Sequence, residues 1–344
     1  MSDELVDAVA EAKRMPAGPA KIAALELLVR KAQQQNRPAV EFRALFTLYN
    51  AGNEIGSAER KLAAYTALRA LTETQPHFKD TVLDVGAHLV SSIASFPEIS
   101  LAQIWALLDE LEAAHVAAGR GLYMLREARV SIRLQVGQLS AAAELYEELA
   151  ELPADGEFCR PCRLNQRVWF LQRMKRDAEA IELAEPLTTE RETCDSTPWG
   201  TWGTLLLSHR RRGEWDVARD YFERGYRKIS AKPHHVSTAA ELIAFAAHAD
   251  EATKGMKLLA RVLPNTALSS KSTLADTYAA AAALLDAWGR PTAPLPLGDE
   301  PGPHPTPVLR AHFADRAREI GALFDRRNGN TFVSDELADA IGRA

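Results

Sequence analysis

The sequence lacks any apolar run that approaches the ~20 residues of a membrane-spanning helix. Its first residues, MSDELVDAVAEAKR, are acidic and contain no apolar stretch of the kind found in secretory signals. We therefore expect a cytoplasmic protein that has no membrane segment. The Ala- and Arg-rich composition is typical of a bacterium with a GC-rich genome.

The short motifs of common enzymes are also missing. The sequence contains no Walker A phosphate loop, no Gly-x-Ser-x-Gly and no His-Glu-x-x-His, and its nine histidines are scattered. An excess of positive charge is missing as well, because 41 Lys and Arg face 46 Asp and Glu, for a net charge of −5. Nucleic-acid-binding proteins usually carry a basic surface. We therefore expect neither an enzyme nor a nucleic-acid partner.

No segment sustains the alternation of a β-strand, and a helical repeat is present instead. Gly137, Lys175, Gly213 and Glu251 follow one another in steps of 38 residues. The same step relates a set of small residues and a set that includes larger ones: Ala142, Ala180 and Ala218, and Tyr146, Ala184 and Phe222. Self-similarity at a fixed period of this length indicates an all-α solenoid of stacked helix pairs.

Apolar periodicity and turn residues predict six helix pairs and the first helix of a seventh. These are 39–54 with 57–75, 78–95 with 99–117, 121–136 with 139–152, 160–173 with 177–188, 198–211 with 214–229, 236–248 with 251–263, and 272–288. Ser100 is the expected N-cap of the helix over 99–117. Residues 38–288 therefore form the predicted solenoid.

Three further regions flank this solenoid. Residues 1–37 form an N-terminal capping region with a helix over 20–33. Residues 289–307 hold seven prolines and three glycines, which predicts a linker without helix. Residues 308–344 form a C-terminal helical appendage, with helices over 308–327 and 334–342 and Ser334 as N-cap. We expect this appendage to fold back on the solenoid or to cap its groove.

The fifth pair carries a family pattern. Counted from Trp199, its Trp, Leu, turn, small and aromatic positions are occupied by Trp202, Leu205, Gly213, Ala218 and Phe222. In this respect the chain resembles a tetratricopeptide repeat (TPR) protein over 38–288, with a step longer than the usual ~34 residues. The resemblance implies a right-handed superhelix of about six to seven antiparallel helix pairs. It also implies a concave groove, lined by the first helix of each pair, that binds proteins or peptides.

The chain has only three cysteines, and all lie within 36 residues. Cys159 and Cys162 open the first helix of the fourth pair, and Cys194 lies in the loop that enters the fifth. Since these places share one edge of stacked pairs, we expect the thiols to converge. Zinc prefers four ligands. The candidates for a fourth are Asp155, Glu157, Asp195 or a water, and His234 or His235 if their loop folds back.

His209 lies about 15 Å along its helix from this edge, at 1.5 Å per residue, so it is a poor fourth ligand. An odd number of cysteines argues against a disulfide framework. Three interpretations remain open: a structural zinc site, a disulfide or redox pair, and unlinked cysteines.

The fourth pair also concentrates positive charge. Six Lys and Arg and no acid occur between 159 and 176. Arg163 and Arg167 lie four residues apart on a first helix, with Gln166 between them, so together they can bind a carboxylate or phosphate. The alternative is that the arginines are solvated and that those near helix C-termini, at 173–176 and 210–212, offset the helix dipole.

We therefore expect a peptide- or protein-binding scaffold whose groove holds an acidic segment or a chain terminus at Arg163, Gln166 and Arg167. Two alternatives are a zinc-stapled or redox-responsive regulator that acts through Cys159, Cys162 and Cys194, and a peptide-sensing regulator.

Overall fold

The computed structural model describes residues 3–153, 159–194, 196–230, 232 and 235–342. This part of the chain is all-α, as predicted, apart from two strands of two residues each. It divides into two compact units, and the division falls after Ala128, inside a helix. Unit 1 comprises residues 3–128 and 268–270. Unit 2 comprises the described residues of 129–153, 159–267 and 271–342. No helix of the described residues is both long enough and apolar enough to cross a membrane.

Unit 1 is built from consecutive helices. They are α1 (Glu4–Arg14), α2 (Pro19–Gln34), α3 (Pro38–Glu54), α4 (Ala58–Thr74), α5 (Lys79–Ile93), α6 (Leu101–Ala117) and the first part of α7 (Tyr123–Gln135). Helix α1 was not expected from the sequence. The N-cap prediction is confirmed: the Ser100 hydroxyl accepts a hydrogen bond from the Gln103 N–H, and the Gln103 side chain accepts one from the Ser100 N–H.

Unit 2 continues the series. Its helices after α7 are α8 (Leu139–Glu151), α9 (Arg160–Arg173), α10 (Asp177–Leu183), α11 (Glu185–Thr188), α12 (Trp199–Arg211), α13 (Trp215–Ile229), α14 (Val236–Ala246), α15 (Ala252–Val262), α16 (Lys271–Trp288), α17 (Thr306–Asn328) and α18 (Phe332–Gly342). The second helix of the fourth pair, predicted as one element, is split in two. Pro186 has no N–H to donate to the preceding turn, so α10 ends and α11 begins there.

Two kinds of contact organise unit 2. Helices adjacent in sequence pack together, as in α9 with α10, α12 with α13 and α14 with α15. In addition α9, α12, α14 and α16 pack side by side, and we call these four helices the first-helix row. The predicted small positions Ala142, Ala180 and Ala218 are fully buried, and the larger Tyr146 and Phe222 are buried as well. This arrangement is compatible with a helical repeat.

The turns that join the helices of a pair share one backbone conformation. Gly137, Lys175 and Gly213 have φ of +79°, +60° and +74°. In the sixth pair the left-handed residue is Asp250, at φ +58°, and not Glu251. The step from Gly213 is therefore 37 residues there.

The proline-rich segment contains no helix from 289 to 305, as predicted, but α17 begins at Thr306, two residues before the predicted start of the appendage. Strands β1 (Thr292–Ala293) and β2 (His304–Pro305) pair antiparallel within it, and Ala293 and Leu295 are fully buried in the core of unit 2.

The C-terminal helices fold back on the array. Helix α17 packs on α16, and α18 packs on both. Helix α17 ends at Gly329 in a left-handed conformation, after two arginines, as the sequence indicates. Helix α18 begins at Phe332, so Ser334 is not its N-cap. Instead the N–H groups of Val333 and Ser334 donate to the Asp325 carboxylate.

Candidate functional site: a thiol cluster and the polar residues of the first-helix row

The three cysteines converge at the beginning of α9, as the sequence predicts. The Sγ atoms of Cys159 and Cys162 are 2.8 Å apart, and those of Cys162 and Cys194 are 3.3 Å apart. All three lie within 4.8 Å of one another, and none is in a disulfide. Cys159 caps α9, Cys162 lies in its first turn, and Cys194 lies in the loop before α12. Three thiols in this arrangement can hold a metal ion.

Two hydroxyl groups that sequence reasoning missed complete this cluster. The Cys194 N–H donates to Thr197 Oγ1 over 3.0 Å, and that hydroxyl donates to Cys194 Sγ over 3.4 Å. Ser196 Oγ lies 3.4 Å from Cys194 Sγ and 3.7 Å from Cys162 Sγ. Their position directly after Cys194 was the only feature of the sequence that could have indicated their part in the cluster.

The cluster separates the ionisation of its thiols. Burial raises the pKa of Cys162 to about 12, and its hydrogen bonds with Cys159 and Cys194 act in the same direction. Burial also acts to raise the pKa of Cys194. Hydrogen bonds from the Ser196 and Thr197 hydroxyls, the Ser196 N–H and the Cys162 thiol outweigh it and lower that pKa to about 6. Cys194 is therefore a thiolate at neutral pH and a ready metal ligand or nucleophile.

Most of the proposed fourth ligands, Asp155, Glu157, Asp195 and His234, lie outside the described residues. Of the histidines that are described, His209 is buried and its Nδ1 is 2.6 Å from the Glu214 carboxylate. His235 lies edge-on to the ring of Trp199. Within the described residues, neither histidine joins the three cysteines.

The predicted arginine site lies along α9. Arg163, Gln166 and Arg167 are all half-buried. Arg167 leans over the ring of Tyr146 on α8, with its guanidinium 5.5 Å from the ring centroid. Across the described part of the chain, Arg163 and Gln166 have no hydrogen-bond or ion-pair partner for their side chains. These two side chains are thus available to a ligand, whereas Arg167 is partly committed to packing.

A third arginine of α9 is engaged by the C-terminal helix. Arg173 Nη2 lies 2.5 Å from Glu336 Oε2 on α18. Asp276 of α16 lies within electrostatic range of both side chains. Asp276 is partly open to solvent. Desolvation by the surrounding helices raises the pKa of its carboxyl group, the positive charge of Arg173 opposes this rise, and the negative charge of Glu336 adds to it. Helices α9, α16 and α18 therefore meet at one charged centre.

Polar contacts also run along the first-helix row. Thr201 on α12 donates to Asn165 on α9 over 2.6 Å, and Thr204 donates to Glu241 on α14 over 3.4 Å. Burial raises the pKa of Glu241 to about 8, against the hydrogen bond from Thr204 and with the charge of Asp276. The Glu241 carboxylate lies over Gly203, where a Cβ atom would be only 2.3 Å from Oε2. The row thus carries arginines on α9, a protonated carboxyl group on α14 and the Asp276 carboxyl group on α16.

No family model matches this sequence, and a comparison with curated proteins finds no significant match. The TPR resemblance therefore depends on the residue pattern and on the helix packing alone.

Proposed function

We propose that unit 2 is a TPR-like scaffold in the cytoplasm that binds a protein segment in a groove along its first-helix row. An acidic stretch or a chain terminus of the partner contacts Arg163, Gln166 and Arg167. The observation that carries this proposal is the pair of polar side chains, Arg163 and Gln166, that have no hydrogen-bond or ion-pair partner among the described residues. A half-buried guanidinium that no described side chain engages is well suited to a carboxylate, because the charged hydrogen bonds form away from bulk water.

The charges of the first-helix row favour one orientation of the bound partner segment. Glu241 is protonated at neutral pH, so Asp276 is the carboxylate of the row that would repel a second acidic stretch, whereas Arg163 and Arg167 attract one. The acidic part of the partner therefore lies over α9, and neutral or basic residues extend toward α14 and α16.

Binding of labelled peptides tests this proposal. We would use fluorescein-labelled 12-residue peptides of equal composition, with the acids at one end or dispersed and with a free or amidated C-terminus. Fluorescence anisotropy should show the tightest binding for clustered acids. Arg163→Glu should weaken it at least tenfold without lowering the melting temperature, because the Arg163 guanidinium has no polar partner among the described residues to lose.

Arg316→Glu on α17 is the matched control, because Arg316 is exposed and, among the described residues, pairs with neighbouring Glu319 alone. The same charge change there should leave binding intact. Equal affinity for all peptides, or equal loss in Arg163→Glu and Arg316→Glu, would contradict the proposal. Arg167→Glu is less decisive, because it also removes the contact with Tyr146.

The thiol cluster supports a second function, a zinc staple. Four sulfurs around zinc, with Zn–S near 2.3 Å, stand about 3.8 Å apart. The sulfur separations here lie between 2.8 and 4.8 Å, so small side-chain movements suffice. Bound zinc would tie the first turn of α9 to the loop before α12, and loss or oxidation of the site would make the protein responsive to metal or redox state.

Metal content and thiol titration test the staple. Protein purified without chelator should carry one zinc per chain by mass spectrometry, with all three thiols protected. Cys162→Ser should lose the metal, while Ser196→Ala should keep it. No metal with three titratable thiols would remove the cluster as a site. No metal with one titratable thiol would show a disulfide, and the redox interpretation would replace the staple.

A further inference from the structure

We infer that the surface made by Arg173 and the turn at Val136 and Gly137 is a binding site for an acidic helix that begins with an aromatic residue. Helix α18 occupies this site from within the same chain, so a partner must displace it. The inference rests on the proposed function, because it adds a specific ligand class and a regulatory step to binding at α9.

Three side chains between Asn330 and Glu336, in the turn before α18 and in its first turns, contact this surface. Asn330 Nδ2 donates to the Val136 carbonyl over 2.9 Å. The Phe332 ring covers Gly137 so closely that a Cβ atom there would be 2.5 Å from Phe332 Cγ. The ring also lies 5.9 Å from the Arg173 guanidinium. An amide, an aromatic ring and a carboxylate therefore define what the surface recognises.

The aromatic residue and the carboxylate stand on one face of the helix. Phe332 and Glu336 are four residues apart, a spacing that aligns two side chains along an α-helix. Arg173 meets both of them. A ligand with an aromatic residue followed four positions later by Glu or Asp reproduces this face.

Arg173 retains capacity for a better ligand. Its Nε is buried and has no hydrogen-bond partner in the described residues, while Nη2 serves Glu336. A carboxylate placed to engage both nitrogens would form the paired hydrogen bonds that a guanidinium favours. The contact with Glu336 uses only one of them, so a partner can bind more tightly than α18 does.

Helix α18 is also suited to release. It has 11 residues, and only Leu337 and Ile341 are buried. A helix of this length is marginal when it is detached, so its order depends on docking. Its charged side chains, Asp335, Glu336 and Asp339, are all acidic, which matches the basic side of the row. These properties fit a segment that protects the site until a partner of the same chemistry arrives.

A peptide with the sequence of residues 330–342, labelled with fluorescein, is the probe. It is titrated against full-length protein. The wild-type chain should bind it weakly because α18 fills the site. The full-length double variant Phe332→Ala/Glu336→Lys should bind it at least tenfold more tightly, and Arg173→Glu added to that variant should abolish the gain. Glu319→Lys on α17 controls for the charge change and should behave as wild type.

Helix content by circular dichroism and mass by light scattering accompany each titration. Equal binding by the wild type and the double variant, or binding that survives Arg173→Glu, overturns the inference. A gain that appears only with dimerisation also overturns it, because the occupant would then be α18 of a second copy. Acidic peptides that still bind through Arg163 in these cases leave the proposed function standing, whereas failure of both peptide sets ends both proposals.

Discussion

Arg173 and Glu336 are 163 positions apart in the sequence, yet their side chains meet at 2.5 Å. The contact joins the last residue of α9 to α18, so it closes the charged centre of unit 2. The two side chains remain 28% and 43% exposed, which limits the strength of the pair. We therefore expect the pair to contribute about 0.2–1 kcal/mol to the free energy of unfolding, the range of exposed ion pairs.

A double-mutant cycle measures that coupling. Arg173→Ala, Glu336→Ala and the double variant should show a coupling energy in the range just given when unfolded by urea. The exchange Arg173→Glu/Glu336→Arg should recover part of the stability lost in either single charge reversal. Strictly additive effects and no recovery would mean that the pair does not form in solution.

The turns at Gly137 and Gly213 offer a matched pair of substitutions. Both have positive φ, so Ala costs each about 1 kcal/mol in backbone strain. A Cβ atom at Gly213 meets nothing within 4 Å, whereas at Gly137 it collides with Phe332. Gly137→Ala should therefore cost about 1–3 kcal/mol more, measured as unfolding free energy, and should make α18 more sensitive to limited proteolysis.

The background variant Phe332→Ala controls this comparison. With the ring removed, Gly137→Ala and Gly213→Ala should cost the same. If a difference persists without the ring, Phe332 does not explain it, and the docking of α18 onto this turn would be wrong.

The buried carboxyl of Glu241 should make stability depend on pH. Its folded-state pKa is about 8 against 4.5 for the free side chain, so the folded protein keeps this proton while the unfolded chain loses it. The stabilising contribution is full below pH 4.5 and is lost as pH rises through 8. Glu241→Gln removes the ionisation, and its stability relative to wild type should rise with pH, by at most about 4 kcal/mol at pH 8.

Melting temperatures of wild type and Glu241→Gln between pH 5 and 8.5 test this dependence. Glu319→Gln, on the exposed side of α17, should show no widening gap. A constant difference across this range would show that Glu241 is ionised throughout it in the folded protein and that its pKa is not raised.

Cys194 should be the first thiol to react in metal-free protein. Alkylation by iodoacetamide, followed for each cysteine by peptide mass spectrometry, should give Cys194 a midpoint near pH 6, because its pKa is lowered to about 6 and the thiolate is the nucleophile. Cys162 should stay unreactive at neutral pH. Thr197→Val removes a hydrogen bond to the thiolate and should move the midpoint upward, whereas an unchanged midpoint would assign the effect to other groups.

Local patterns in the sequence were enough to predict much of the fold. The periodicity predicts the helices to within a few residues, except for α1 and the break between α10 and α11. Ser100 is the cap it was expected to be, and Ala142, Ala180 and Ala218 are buried as the repeat requires. Convergence of the three cysteines also follows from the repeat, because equivalent helix ends share an edge. Each of these depends on contacts within one pair or between neighbouring pairs.

The features that the sequence did not predict depend on contacts between helices that are distant in the sequence. The contact of Arg173 with Glu336 requires α9, α16 and α18 to meet, which is set by how successive pairs rotate and not by any one of them. Sequence reasoning therefore chose Arg163 and Arg167 by their spacing and left Arg173 among the solvated helix ends. Ser334 failed as a cap for a similar reason, because Asp325 of the preceding helix receives the first N–H groups of α18.

The thiol cluster lies where metal binding or thiol oxidation would act on the packing of two helices. Cys162 belongs to the first turn of α9, and Cys194 precedes α12 by a few residues. The sulfur cluster therefore connects the beginnings of two neighbouring helices. A metal ion or a disulfide that changed the sulfur separations would shift the start of α9 against the loop before α12, and we would expect the Asn165–Thr201 hydrogen bond between these helices to respond. A ligand that bridges those helices would in turn bias which metal or oxidation state the thiols prefer, because such coupling acts in both directions.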